Sequence, residues 1–190
     1  IASLDAGHTV ARKGNIGKPV PLDATTRVVE INDLAALEAA LAAGDVAACL
    51  FEPALTNVGI VLPEPGYHEA VRELTRRHGT LQDNDETHTI CTGPGGYTQA
   101  HGLDPDLFVV GKLVGGGVPA AAYGLSRALA ERVYRVGAAV ESDTNGIGGT
   151  LAGNALALAA MRATLEQVLT AEAYERTIPL AERFQAGVEG

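Results

Sequence analysis

Long apolar runs, basic residues and cysteines are all scarce in this sequence, and each scarcity closes off a class of function. No apolar run approaches the length that crosses a bilayer, and the first residues lack the charged-then-apolar order of a secretory signal, so no membrane association is expected. Lys and Arg number 14 against 23 Asp and Glu, for a net charge of −9, and the basic residues are scattered, which argues against nucleic acid as a partner. Cysteine occurs only at Cys49 and Cys91, in dissimilar contexts without metal-ligand spacing, and a reducing, cytoplasmic setting is expected. There is no internal repeat and no low-complexity tract.

What is present is a globular composition, 46% apolar and 19% charged, in 190 residues: enough for one domain with a core. Residues 1–26 carry Gly, Pro, Thr and Asp without sustained periodicity and read as an irregular lead-in whose upstream context is missing, since Ile1 does not resemble a natural start. From residue 27, strand-like and helix-like stretches alternate. Arg27-Val28-Val29-Glu30-Ile31 is a short β-branched run, and Asn32 is placed to cap a helix with Leu34, Leu37 and Leu41 on one face, stopped at Gly44. Val46 to Phe51 is continuously apolar, the pattern of a strand covered on both faces. A helix is expected from about Pro65, with Tyr67, Ala70, Val71 and Leu74 on one side, Arg76 and Arg77 in its last turn and Gly79 as its cap.

A buried strand should then lead into Asp85, yet its positions hold Gln82-Asp83-Asn84. Each of these needs a hydrogen-bond partner or costs about 1–3 kcal/mol. Thr92 to Gly96 reads as a loop, Leu107 to Val110 as a buried strand, and Ala120 to Leu125 as a further strand closed by Ser126, which can cap a helix through Tyr134. Glu141 to Gly149 is a polar, glycine-rich loop. Gly153 to Leu169 is a helix with Leu158, Met161, Leu165 and Val168 on its apolar face, and residues 171–188 form a terminal helix interrupted at Pro179. The alternation predicts an α/β fold with its core in residues 27–169.

The chain is organised around Lys112, one of three lysines, between the apolar run Leu107 to Val110 and the triple glycine 115–117. Apolar surroundings penalise an ammonium, and a neutral amine condenses with carbonyls. The glycines allow backbone to approach whatever the lysine is joined to. Three further blocks accompany it: Glu52 to Asn57, Asp85-Glu86-Thr87-His88-Thr89, and Gly149-Thr150-Leu151-Ala152-Gly153-Asn154. In this combination and order the chain resembles, from about Asn32 to its end, the class III pyridoxal-phosphate aminotransferases, and most closely their glutamate-1-semialdehyde aminomutase branch.

The resemblance implies the large domain of the fold type I pyridoxal-phosphate transferases, a three-layer, mainly parallel sheet flanked by helices, present incompletely. Residues 170–190 would begin the connection to a C-terminal domain that is missing, as are an upstream phosphate loop and an aromatic residue stacked on the ring. The cofactor would be pyridoxal 5'-phosphate, held as a Schiff base by Lys112, which would also move the substrate proton. Asp85 would face the pyridine nitrogen, Thr87 would lie against one face of the ring, and Asn57 would reach the phenolic oxygen. Thr150 would hold the phosphate of the neighbouring subunit, implying a homodimer with composite sites that acts on a small amino donor and acceptor. His88 neighbours this pocket and is read as structural. Two other readings are a non-catalytic fragment that keeps the fold's core, and a metal-dependent hydrolase using Asp83, Asp85, Glu86 and His88.

Overall fold

A four-stranded sheet carries the candidate residues, and its strand order determines which of them meet. The computed structural model describes residues 2–11, 21–139 and 150–190. The sheet consists of β3 (Ala48–Phe51), β4 (Leu81–Asp85), β5 (Leu107–Val110) and β6 (Ala122–Leu125), in that order. β3, β4 and β5 run parallel, and β6 is antiparallel to β5, pairing Leu107 with Leu125 and Val110 with Ala122. Helices α1 (Leu34–Leu41), α2 (Tyr67–Arg77), α3 (Gly96–Ala100), α4 (Arg127–Ala139), α5 (Ala155–Gln167) and α6 (Ala171–Glu189) accompany it. The predicted α/β architecture, mainly parallel with flanking helices, is therefore the one observed.

The lead-in is not wholly irregular, because Ala2–Asp5 (β1) and His8–Ala11 (β2) form an antiparallel hairpin turned at Ala6-Gly7, both with positive φ. The β-branched run 27–31 forms no strand. Val29 and Ile31 instead pack as irregular chain on the cluster of Leu37, Leu41, Tyr67, Val71 and Leu74, where α1 meets α2. Asp33, not Asn32, caps α1 by accepting from Ala36 N at 2.8 Å. Asn32 takes the left-handed conformation (φ 70°) and clamps the segment before α2, donating to Leu62 O at 3.1 Å and accepting from Glu64 N at 2.8 Å.

β3 is shorter than its apolar run and covered on one face only, with Leu50 66% exposed, and among the described residues it is an edge strand paired with β4 alone. Thr92 to Gly96 is not a plain loop: a 3-10 turn over Thr89–Thr92 runs into α3. α5 begins at its cap Asn154, and the expected inward face is open, with Leu158, Leu165 and Val168 each more than half exposed. The buried positions are Ala157 and Thr164, because α5 packs by a close approach at the Lys112–Gly115 turn, where small residues fit. α6 continues through Pro179 on an exposed surface, where water can serve the carbonyl that proline leaves unpaired. The loop expected over 141–149 lies outside the described residues.

The polar strand is central after all, since β4 pairs on both sides. Gln82 and Asn84 share its fully buried face, where Gln82 Nε2 donates to Asn84 Oδ1 at 3.1 Å and Asn84 Nδ2 donates to Thr98 Oγ1 at 3.1 Å. The network is incomplete, because Gln82 Oε1 and Asp83 Oδ1 are buried without a protein partner. Asp83 faces the other way, with Asp85, and burial followed by the charge of Asp85 raises its pKa.

Candidate active site

Parallel strands end on the same edge of a sheet, and the segments leaving that edge are where open α/β sheets hold their ligands. Here the edge is formed by the C-terminal ends of β3, β4 and β5, which lead into Glu52, Glu86 and Gly111. Asp85 closes β4 in register with Val109 of β5, and Glu86 N donates to Val109 O at 2.8 Å, so the two strands end side by side.

After β4 the backbone is fastened by Glu86. This fully buried carboxylate accepts from Thr89 Oγ1 at 2.6 Å and from the backbone amides of Tyr97 and Thr98, tying the Thr89–Thr92 turn to α3. Asp85 Oδ1 accepts from Thr87 N at 2.9 Å, and no described residue bonds its Oδ2, so that oxygen can meet a ligand's N–H. Thr87 lies beside the residue preceding the lysine: a Cβ built on Gly111 would sit 3.5 Å from both Thr87 Cγ2 and Oγ1.

Lys112 opens a 3-10 turn, Lys112–Gly115, after β5. Its φ of 49° is left-handed, a conformation that costs an L-residue about 1–2 kcal/mol and that recurs at functional sites. Buried Val114 and Gly115 anchor the turn, and α5 lies against it so closely that a Cβ on Gly116 would come 2.6 Å from Thr164 Oγ1. The apolar enclosure expected around the lysine is absent, because its side chain projects from the sheet edge and is exposed. What stands beside the amine is His88, with Nζ 2.7 Å from Nε2.

His88 connects the lysine to the first segment of the edge. Its Nδ1 lies 2.5 Å from Thr56 Oγ1, Thr56 Oγ1 donates to Glu52 Oε2 at 2.5 Å, and Glu52 Oε1 accepts from Asn57 Nδ2 at 3.1 Å. Glu52 and Thr56, which reading the sequence left without a role, thus join His88, which it read as structural. All lie inside blocks already singled out, but sequence spacing gives no sign that they touch. Asn57 reaches the edge through Glu52, whereas Thr150, exposed in the turn before the α5 cap, takes no part in these contacts.

The carboxylates do not gather into a metal site. Among the described residues no three His, Cys, Asp or Glu side chains are placed to hold an ion, and Glu86 is occupied by its three donors. The hydrolase reading therefore falls. Among the described residues, the site does not coincide with either of two hollows. An 800 Å³ hollow lined by Val29, Leu37, Leu41, Cys49, Phe51 and Tyr67 and a 380 Å³ hollow lined by His68, Arg72, Gln82 and His101 both lie away from Lys112. The edge is the better candidate, because a lysine, a carboxylate with a free oxygen and an amide converge there, a donor set that suits pyridoxal phosphate.

Comparison with known proteins agrees with that chemistry. Residues 10–189 match the family model described as aminotransferase class-III. A glutamate-1-semialdehyde 2,1-aminomutase of Sorangium cellulosum is 42% identical over 97% of this chain and 42% of its own length. A crystal structure of a glutamate-1-semialdehyde-aminomutase from Pseudomonas aeruginosa is 53% identical with a TM-score of 0.90, over 98% of this chain and 42% of that one. A lysine-to-alanine variant of a glutamate-1-semialdehyde-aminomutase from the same organism, crystallised in complex with PMP, gives a TM-score of 0.91 with the same identity and coverage. A β-phenylalanine aminotransferase from Variovorax paradoxus is 30% identical with a TM-score of 0.67, over 82% of this chain and 35% of that one. The chain thus spans less than half the length of these relatives.

Proposed function

The chain belongs to the class III aminotransferases, and on that premise we propose that it forms the cofactor-holding core of a pyridoxal-phosphate enzyme that moves an amino group on a small amino acid or amino-aldehyde. The observation that carries this reading is the convergence of Lys112, Asp85 and the Glu52–Asn57 segment where three adjacent parallel strands end. Bound there, the cofactor supplies a carbonyl that exchanges amines and a ring that draws electron density from the carbon losing its proton.

Each residue then has a task set by its chemistry. Lys112 is the point of covalent attachment and, once released, the base and acid that moves the substrate proton. Asp85 keeps a proton on the pyridine nitrogen through its free oxygen, Thr87 bounds one face of the ring, and Asn57 binds the phenolic oxygen. Thr150 offers a hydroxyl and an amide shortly before the N-terminus of α5, a position suited to phosphate. We assign it to the phosphate of a second subunit, which makes the working form a homodimer with composite sites. Free Cys49 and Cys91 fit a reducing, cytoplasmic setting, and no helix among the described residues is long and apolar enough to cross a membrane.

The test is made on the polypeptide that carries this chain. After incubation with pyridoxal phosphate and borohydride reduction, mass spectrometry should find the cofactor on Lys112, and Lys112→Ala should abolish labelling; label on Lys13 or Lys18 refutes the assignment. Subunits carrying Thr150→Val mixed with subunits carrying Lys112→Ala should regain activity, since one of the two sites is then intact. No recovery in demonstrated heterodimers removes the composite site.

A further inference from the structure

The contacts around His88 determine where its protons lie. Thr56 has one hydroxyl proton, and Glu52 Oε2, 2.5 Å away, can only accept it. Toward His88 Nδ1, also at 2.5 Å, the Thr56 oxygen must therefore accept, which places a proton on Nδ1. Nε2 is left with its lone pair aimed at Lys112 Nζ, 2.7 Å away. An ammonium at Nζ donates into that lone pair. If the proton crosses, the resulting imidazolium faces Glu52 Oε2 at 4.0 Å and keeps its Nδ1 proton, which it donates as a hydrogen bond to a threonine oxygen polarised by the same carboxylate.

We propose that His88 is a catalytic residue that takes the proton Lys112 must lose before its amine can add to a carbonyl, with Thr56 and Glu52 as positioning residues that hold the imidazole in the accepting tautomer. In the step one Nζ–H bond breaks and one Nε2–H bond forms, with no other reactant; the reverse transfer returns the ammonium. The proposal rests on the role assigned above to Lys112, and it answers a need visible in the fold. Lys112 is exposed at the sheet edge rather than enclosed in apolar surface, and what the fold places beside its amine is the imidazole of His88. The charged groups facing His88 within 4.0 Å among the described residues are Glu52, from the segment after β3, and Lys112, from the turn after β5. Of the two carboxylates on its own segment, Glu86 is turned away into its bonds with Thr89, Tyr97 and Thr98, and Asp85 accepts from Thr87 N.

The experiment follows the pH dependence of Lys112 reactivity in cofactor-free protein carrying the whole polypeptide. An amine-directed reagent such as trinitrobenzenesulfonate is read out peptide by peptide by mass spectrometry, with Lys13 and Lys18 as internal standards. His88→Gln, which can hydrogen bond but cannot take a proton, should slow labelling of Lys112 at neutral pH by about 10²-fold, the scale of a single acid–base contribution. The deficit should close in alkaline solution, where solvent deprotonates the amine without help. Thr56→Val and Glu52→Gln should give smaller deficits of the same pH form, and imidazole added to His88→Gly should restore labelling. A parallel loss at every pH, or a wild-type profile in His88→Gln, overturns the proposal. Prolonged incubation with pyridoxal phosphate and reduction separates the two levels: label still on Lys112 in His88→Gln leaves the attachment role intact whatever the profile shows, whereas wild-type protein labelled elsewhere removes that role.

Discussion

Gln82 and Asn84 fill the buried face of a central strand, and their hydrogen bonds make the cost of replacing either one depend on the other. Asn84→Leu removes the acceptor of Gln82 Nε2, stranding it where water does not reach, and also removes the donor to Thr98 Oγ1, which is only part-buried. At about 1–3 kcal/mol for the stranded amide, and less for a hydroxyl that water can reach, the single substitution should cost roughly 1–4 kcal/mol. Gln82→Leu also strands Asn84 Oδ1, but it removes Gln82 Oε1, which already lacks a partner, so its net cost should be about 0–2 kcal/mol. With both replaced, only Thr98 loses a partner, and the two leucines add apolar burial. Equilibrium urea unfolding of the four proteins should therefore give a double mutant less destabilised than the sum of the singles by about 2–6 kcal/mol, since each single strands one group that the double removes. Strict additivity, or an Asn84→Leu protein no weaker than Gln82→Leu, would show that the bonds contribute nothing and that the strand tolerates polarity for another reason.

Two further outcomes follow from particular contacts. Gly116→Ala forces a left-handed alanine (φ 57°) whose Cβ meets Thr164 Oγ1 at 2.6 Å. It should destabilise by roughly 1–3 kcal/mol, of which Gly116→Ala/Thr164→Ala recovers only the steric part when melting temperatures are compared. Asp106 is raised by burial but lowered on balance, through hydrogen bonds from Arg72 and from Gln82 N and the charges of Arg72 and Arg76. A carboxyl depressed in the folded state contributes stability above its unfolded pKa of about 4, and loses it as pH falls through the folded value. Acid unfolding of wild type should thus be steeper below about pH 4 than that of Asp106→Asn. Asp83, raised in the folded state, acts in the opposite sense, so the two proteins are compared with each other rather than with a flat baseline.

Local sequence was sufficient wherever neighbours along the chain decide the outcome. The spacing of Tyr67, Val71 and Leu74 with Arg76, Arg77 and Gly79 marks α2, Leu107 to Val110 marks β5, and Ser126 marks the start of α4 with its hydroxyl accepting from Leu129 N at 3.3 Å. Lys112 could be singled out because its place between an apolar strand and three glycines is accompanied by the blocks Glu52 to Asn57, Asp85 to Thr89 and Gly149 to Asn154, and Asp85 because the resemblance those blocks carry points to it. Tertiary structure decided everything that depends on which strands lie side by side. Thr56 and His88 are 32 residues apart and Lys112 and His88 are 24 apart, and they meet only because β3, β4 and β5 are adjacent and parallel, so that the segments leaving them emerge at one edge. The same adjacency makes the polar strand tolerable, by setting Thr98 over Asn84, and it exposes Lys112, because a side chain at the end of a sheet borrows little cover from the strand that precedes it.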